Sequence, residues 1–152
     1  MKDERGMTIL ELLVGLAVLG MVLAASLPAF RNMLDGYAHR NSVTAVTGRM
    51  FLTRQMAVRE RTPFVVQIEE GQFSIFRDDD EDGTRDGDER ELGPYPMSDG
   101  VQIQNVSWPN DRITFFPNGG ASQTADLRVV DAKGRSKTIR VSSITGNTEV
   151  LP

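Results

Sequence analysis

No cysteine occurs in the 152 residues. Disulfides therefore do not hold the fold together, and thiol chemistry and cysteine-ligated zinc are excluded. Histidine is almost as scarce. His39 stands alone, between Ala38 and Arg40 in a segment that reads as helix. A hydrolytic triad or a histidine-built metal site needs more than this. Ser142 and Ser143 have no base in view, and Gly119-Gly120 lacks the lysine and the following helix of a phosphate-binding loop. The chain is expected not to be an enzyme. Charge is missing from one long stretch, MTILELLVGLAVLGMVLAASLPAF, residues 7–30, where Glu11 is the sole ionisable side chain. These 24 residues would form a helix of ~36 Å, enough to cross a bilayer core. An ordinary secretory signal has a shorter apolar region and a small-residue cleavage site at its far end. Here the small residue, Gly6, lies on the near side, behind the charged leader MKDERG. Cleavage there would retain the hydrophobic helix.

Charge is instead concentrated elsewhere. The block from Asp78 to Glu91 carries nine acids and two arginines, or −7, so the remainder of a chain of net charge −4 is +3. The overall acidity is thus the property of one loop on a mildly basic body. Residues 78–89, DDDEDGTRDGDE, match the calcium-binding loop of an EF-hand position by position. Asp78, Asp80 and Asp82 stand at positions one, three and five, with Gly83 at the sharp turn. Thr84 would offer its backbone carbonyl, Asp86 stands at position nine and Glu89 at the bidentate position twelve. Calcium is the expected ion. The flanks are not those of an EF-hand, since a strand precedes the loop and Gly93-Pro94 follows it. A solvated acidic turn is the alternative.

Between these regions Val43, Val46, Met50 and Ala57 form a helical stripe, flanked by Phe51 and Val58, with Arg40, Arg49, Arg54, Arg59 and Arg61 on other faces. One helix is expected from Met7 to Arg61, with Pro28 inside it and Gly36 a second soft point, ended by Thr62-Pro63. Strands are expected at 64–68 and 72–76 around a Glu70-Gly71 turn, then at 101–106, 112–115, 126–129, 138–141 and 148–151, with a turn at 131–134. The fold class is α+β, a long N-terminal helix packed on an antiparallel β-sheet domain. Its parts are a leader at 1–6, a transmembrane or filament-core helix at 7–30, an amphipathic continuation at 31–61, and a β domain at 62–152 that carries the acidic loop 78–91.

The run Gly6-Met7-Thr8-Ile9-Leu10-Glu11-Leu12-Leu13, followed by apolar residues and Pro28, resembles the class III signal of type IV pilins and type II secretion pseudopilins. Met7 departs from the family's usual Phe. The order of the C-terminal elements, Phe115-Phe116-Pro117-Asn118-Gly119, a hairpin, then Ser142 to Gly146, is similar to the GspH/FimT family of minor pseudopilins and pilins. The resemblance implies cleavage between Gly6 and Met7 by prepilin peptidase, and methylation of the new N-terminus. It also implies that Glu11 aligns subunits, through an amine–carboxylate pair with a neighbour, in a helical filament of other pilins or pseudopilins. The implied location is the bacterial inner membrane, single-pass with the C-terminal domain in the periplasm, and then a filament. A plain membrane anchor is the alternative for Glu11. Some FimT-like proteins bind DNA, so a DNA-binding minor pilin for DNA uptake is the alternative function, with Arg128, Lys133, Arg135, Lys137 and Arg140 around the last hairpin as the candidate nucleic-acid contacts, phosphate-directed and salt-sensitive. A solvated strand face explains the same five residues, and Gly146-Asn147-Thr148-Glu149 lacks the arginines that DNA-binding relatives carry there.

Overall fold

The computed structural model describes residues 8–105 and 107–152. The leader, Gly6, Met7 and Val106 lie outside them. Helix α1 runs from Ile9 to Glu60, 52 residues, through Pro28. Thr8 sits at its start and accepts the Glu11 N–H on Oγ1 at 3.2 Å. Thr8 and Glu11 thus have the spacing of a capping box, and the acid stands where the helix dipole favours it. The helix stops where Arg61 turns left-handed at φ 56°, ahead of Thr62-Pro63, which cannot continue it.

The chain forms two compact units, dividing between Gly36 and Tyr37. In the first, every residue from Ile9 to Asp35 is exposed. The second unit holds the remainder of α1 and eight strands. These are β1 (Phe64–Glu69), β2 (Gln72–Arg77), β3 (Glu91–Pro96), β4 (Val101–Asn105), β5 (Arg112–Phe115), β6 (Ala125–Asp131), β7 (Ser136–Val141) and β8 (Thr148–Leu151). They make two antiparallel sheets, in the orders β3-β2-β1-β5 and β4-β6-β7-β8.

One core joins α1 to both sheets. The expected stripe is buried, with Val46, Met50 and Ala57 almost solvent-free and Val43 nearly so. It packs with Phe64, Val66, Phe73, Ile75, Ile113 and Phe115 of the first sheet and Val101, Leu127, Val129, Ile139 and Val141 of the second. His39, Ser42 and Thr53 are buried on the same helix face. Thr53 returns its hydroxyl to the Arg49 carbonyl at 2.8 Å, and Ser42 bonds Ser98 at 3.0 Å. Phe51 and Val58, beside the stripe, stay exposed.

The β6–β7 turn is organised by Asp131. Its buried carboxylate accepts the Lys133 N–H at 3.0 Å and the Arg135 N–H at 2.9 Å, and pairs with the Arg135 guanidinium at 2.5 Å. Burial works against the charge, but these donors together outweigh it and hold the carboxyl below its ordinary range. A depressed carboxyl stabilises the fold above its unfolded pKa and stops doing so as pH falls through the folded value. Asp131→Ala is therefore expected to lower the thermal midpoint at neutral pH. Melts at stepped pH should show the gap from the parent closing once pH drops below about 3.9, the ordinary Asp value. A gap unchanged by acid would remove the charge from the turn's stability.

Candidate functional site

The N-terminal segment presents one helix long and apolar enough to cross a membrane. Its large side chains, Leu10, Leu13, Leu16, Leu19, Leu23 and Leu27 among them, are each more than half exposed. Such a surface is unstable in water and needs a lipid or protein environment. Glu11 is the one acid in its first turn, and it too is exposed.

The acidic loop connects β2 to β3. Their pairing carries Phe76 opposite Glu91, so the loop leaves and re-enters the same sheet. Its base is tied down from outside. Asp78 donates its N–H to the Pro63 carbonyl at 3.0 Å. Arg90 pairs with Glu60 at the end of α1, 2.9 Å away, and stands 5.5 Å from the Phe64 ring centre. Arg112 of β5 donates to the Gly83 carbonyl.

Within the loop, Asp78, Asp80 and Asp82 each bring a carboxylate oxygen to within 4.8 Å of the others. Gly83 takes the left-handed conformation at φ 73° that the tight turn requires. Glu89 reaches back across the loop, accepting the Asp79 N–H on Oε1 at 2.9 Å and the Asp86 N–H on Oε2 at 3.0 Å. Burial, chiefly, and then the charges of Glu89, Asp80 and Asp82 push the Asp78 carboxyl up, although the Gly83 N–H favours its ionised form. Asp86 is also pushed up, by desolvation and then by Asp80, Asp82, Glu89 and Asp88. Asp82 goes the other way because the Thr84 hydroxyl and N–H both bond it. Thr84 turns its hydroxyl to the Asp82 carboxylate.

The five basic candidates of the last hairpin do not form one open patch. Arg128 and Arg140 lie on the outer face of the second sheet, whereas Lys137 falls on the other face, opposite the buried Val129. Arg140 grips Asp126 through two bonds of 2.7 and 2.8 Å. Arg135 is held by Asp131, and Lys133 lies in that same turn.

A docked glycine junction went unread in the sequence. The Gly119 carbonyl accepts Arg54 Nε of α1 at 2.9 Å, and the Ala121 N–H reaches the Ser143 carbonyl at 2.9 Å. The β5–β6 and β7–β8 connections and the helix therefore meet at Gly119, Gly120 and Gly146.

This junction falls where the C-terminal family pattern lies, and the pattern extends well beyond it. The sequence matches the family described as Type II transport protein GspH over residues 42–146. The chain belongs to the GspH family. Residues 1–27 also match the prokaryotic N-terminal methylation motif. Solved structures share the fold at low identity. The minor pseudopilin EpsH from the type 2 secretion system of Vibrio cholerae is similar at 13% identity and a TM-score of 0.55, covering 74% of this chain and 94% of its own. The type IV minor pilin FimU of Pseudomonas aeruginosa is similar at 16% identity and a TM-score of 0.58, covering 80% of this chain and 90% of its own. A second crystal form of FimU gives 14% and 0.56. No curated protein sequence matches the chain. The chain is thus GspH-family by sequence and shares its fold with a minor pseudopilin and a minor pilin.

Proposed function

We propose that this GspH-family chain is a structural subunit of a type II secretion or type IV pilus filament. It is inserted in the bacterial inner membrane through residues 7–30, with its C-terminal domain in the periplasm. Prepilin peptidase cuts it between Gly6 and Met7, and it assembles with other pilins or pseudopilins through its N-terminal helix. The observation that carries this reading is a single ionisable side chain, Glu11, near the start of the otherwise apolar and exposed stretch of α1 from Ile9 to Phe30. A carboxylate at the centre of a bilayer costs about 2.5–3.5 kcal/mol and less near the interface. A new amine at Met7, four residues before Glu11, would give a neighbouring subunit's Glu11 a partner of opposite charge in a medium where such pairs are strong.

Mass spectrometry of the protein from its native membrane tests the processing step. The expected N-terminus is a methylated Met7, and an intact Met1 in assembled filaments would end this reading. Glu11→Ala tests the assembly step. Alanine removes a charge from the bilayer, so membrane insertion should be unimpaired. Incorporation into filaments should fall at least about tenfold, equivalent to losing ~1.4 kcal/mol of pairing. Incorporation equal to that of the parent would remove Glu11 from the mechanism.

A further inference from the structure

We propose that the β2–β3 connection is a calcium site formed by Asp78, Asp80, Asp82, Asp86 and Glu89 with the Thr84 carbonyl. Spacing alone would not carry this, because acid-rich loops are common on surfaces. The deciding feature is Asp78. It is only 2% exposed, at the root of the loop where β2 ends. Its Oδ2 accepts the Gly83 N–H at 3.1 Å, while its Oδ1 is buried and has no hydrogen-bond partner. A buried carboxylate oxygen without a donor is costly. The groups that converge with the Asp78 carboxylate are those of Asp80 and Asp82, one oxygen of each within 4.8 Å of the others, and they repel it further. A cation at that convergence gives Oδ1 its partner and turns the repulsion into shared coordination.

Three neighbouring arginines pair with acids outside the ligand set, and Arg112 reaches the loop at a carbonyl, its charge felt by Asp82. Arg77 pairs with Asp79 at 2.7 Å, Arg85 with Glu91 at 2.7 Å and Arg90 with Glu60 at 2.9 Å. Arg112 donates to the Gly83 carbonyl. Glu89, meanwhile, is held on both oxygens by backbone N–H groups of Asp79 and Asp86. That fixes its carboxylate over the loop and leaves further lone pairs for a metal. The donors are all oxygens, which selects a hard cation, and six or more of them around an open loop suit calcium better than the tight octahedron of magnesium. The ion would join the end of β2 to the start of β3. It would thereby brace an edge strand that β2 alone holds.

The test uses the full-length chain in detergent, stripped with chelator and titrated with calcium chloride up to about 10 mM, since extracellular calcium sites bind at about 10⁻⁴–10⁻³ M. Titration heat should be measurable. The thermal midpoint should rise by about 5 °C at ten times the dissociation constant and fall back on adding chelator. Magnesium chloride should do much less. Asp80→Asn keeps side-chain shape and removes charge, so it should fold, melt no lower than the parent without calcium, and lose the calcium response. Glu89→Gln gives up one of its two backbone hydrogen bonds, so it should fold with a somewhat lower midpoint and lose the calcium response. No heat and no shift with calcium would overturn the site. So would an equal response to magnesium, or a Glu89→Gln protein that still responds like the parent.

Discussion

Gly146→Ala is expected to destabilise the domain by about 3–5 kcal/mol and to lower its thermal midpoint by more than about 10 °C, through a left-handed backbone and a steric clash acting together. Gly146 has φ 61°, a conformation that costs a residue with a Cβ about 1–2 kcal/mol. Its surroundings are the larger obstacle. An added Cβ would stand 2.3 Å from the Gly119 carbonyl oxygen and 3.0 Å from Arg54 Cδ. The oxygen cannot retreat freely, because it accepts the Arg54 Nε hydrogen bond at 2.9 Å. The Gly146 N–H is itself anchored to the Ser142 carbonyl at 2.8 Å. Relief therefore requires parting the β5–β6 connection from the β7–β8 connection, with loss of the buried contact to α1. Gly134→Ala is the control. It has φ 77° and open space where a Cβ would go, so it should cost only the backbone strain. Equal losses at the two positions would show that the clash is relieved cheaply and that the junction does not lock the domain.

The fold was legible where a single period governed the sequence. The helical stripe Val43, Val46, Met50 and Ala57 is buried, and the hairpin of Phe64–Glu69 and Gln72–Arg77 pairs in the register its Glu70-Gly71 turn allows. Strand β3 was missed. Glu91–Pro96 contains Gly93, Pro94 and Pro96, residues that argue against a strand in general. They are tolerated here because β3 is an edge, bonded to β2 alone, where a missing N–H need leave no ladder partner unsatisfied. The division into two sheets was equally hidden. Alternation says which residues of a strand face inward, but not which strands share a sheet. Ser42 and Thr53 extend the helix's buried face although they are polar, because each hydroxyl has a bonding partner. Thr8 and Glu11 carry the capping-box spacing openly, within the same apolar run in which Glu11 is the sole charge. In the acidic loop, the carboxylates of Asp78, Asp80 and Asp82, two residues apart in sequence, lie near one another. Only coordinates reveal that Asp78 is buried with one oxygen unmatched.

Phe64→Ala is expected to cost about 3–5 kcal/mol, the range for emptying a buried phenylalanine site. That is a large share of the 5–15 kcal/mol that holds a typical domain together. Phe64 is fully buried and opens β1, which lies inside its sheet between β2 and β5. Its register partner on β5, Phe115, is fully buried too, and both belong to the core that includes Met50 and Ala57 of α1. The backbone cannot easily collapse into the vacated space, because β1 is held by ladders on both sides and Pro63 just before it has a fixed φ. The Arg90 guanidinium over the ring would lose its aromatic neighbour while remaining tied to Glu60. Phe64→Leu keeps most of the volume and should cost less than about 1.5 kcal/mol. Urea unfolding of both variants, followed by circular dichroism, measures the difference. If alanine and leucine unfold at the same urea concentration, the site relaxes without a cavity and Phe64 is not the wedge between helix and sheet.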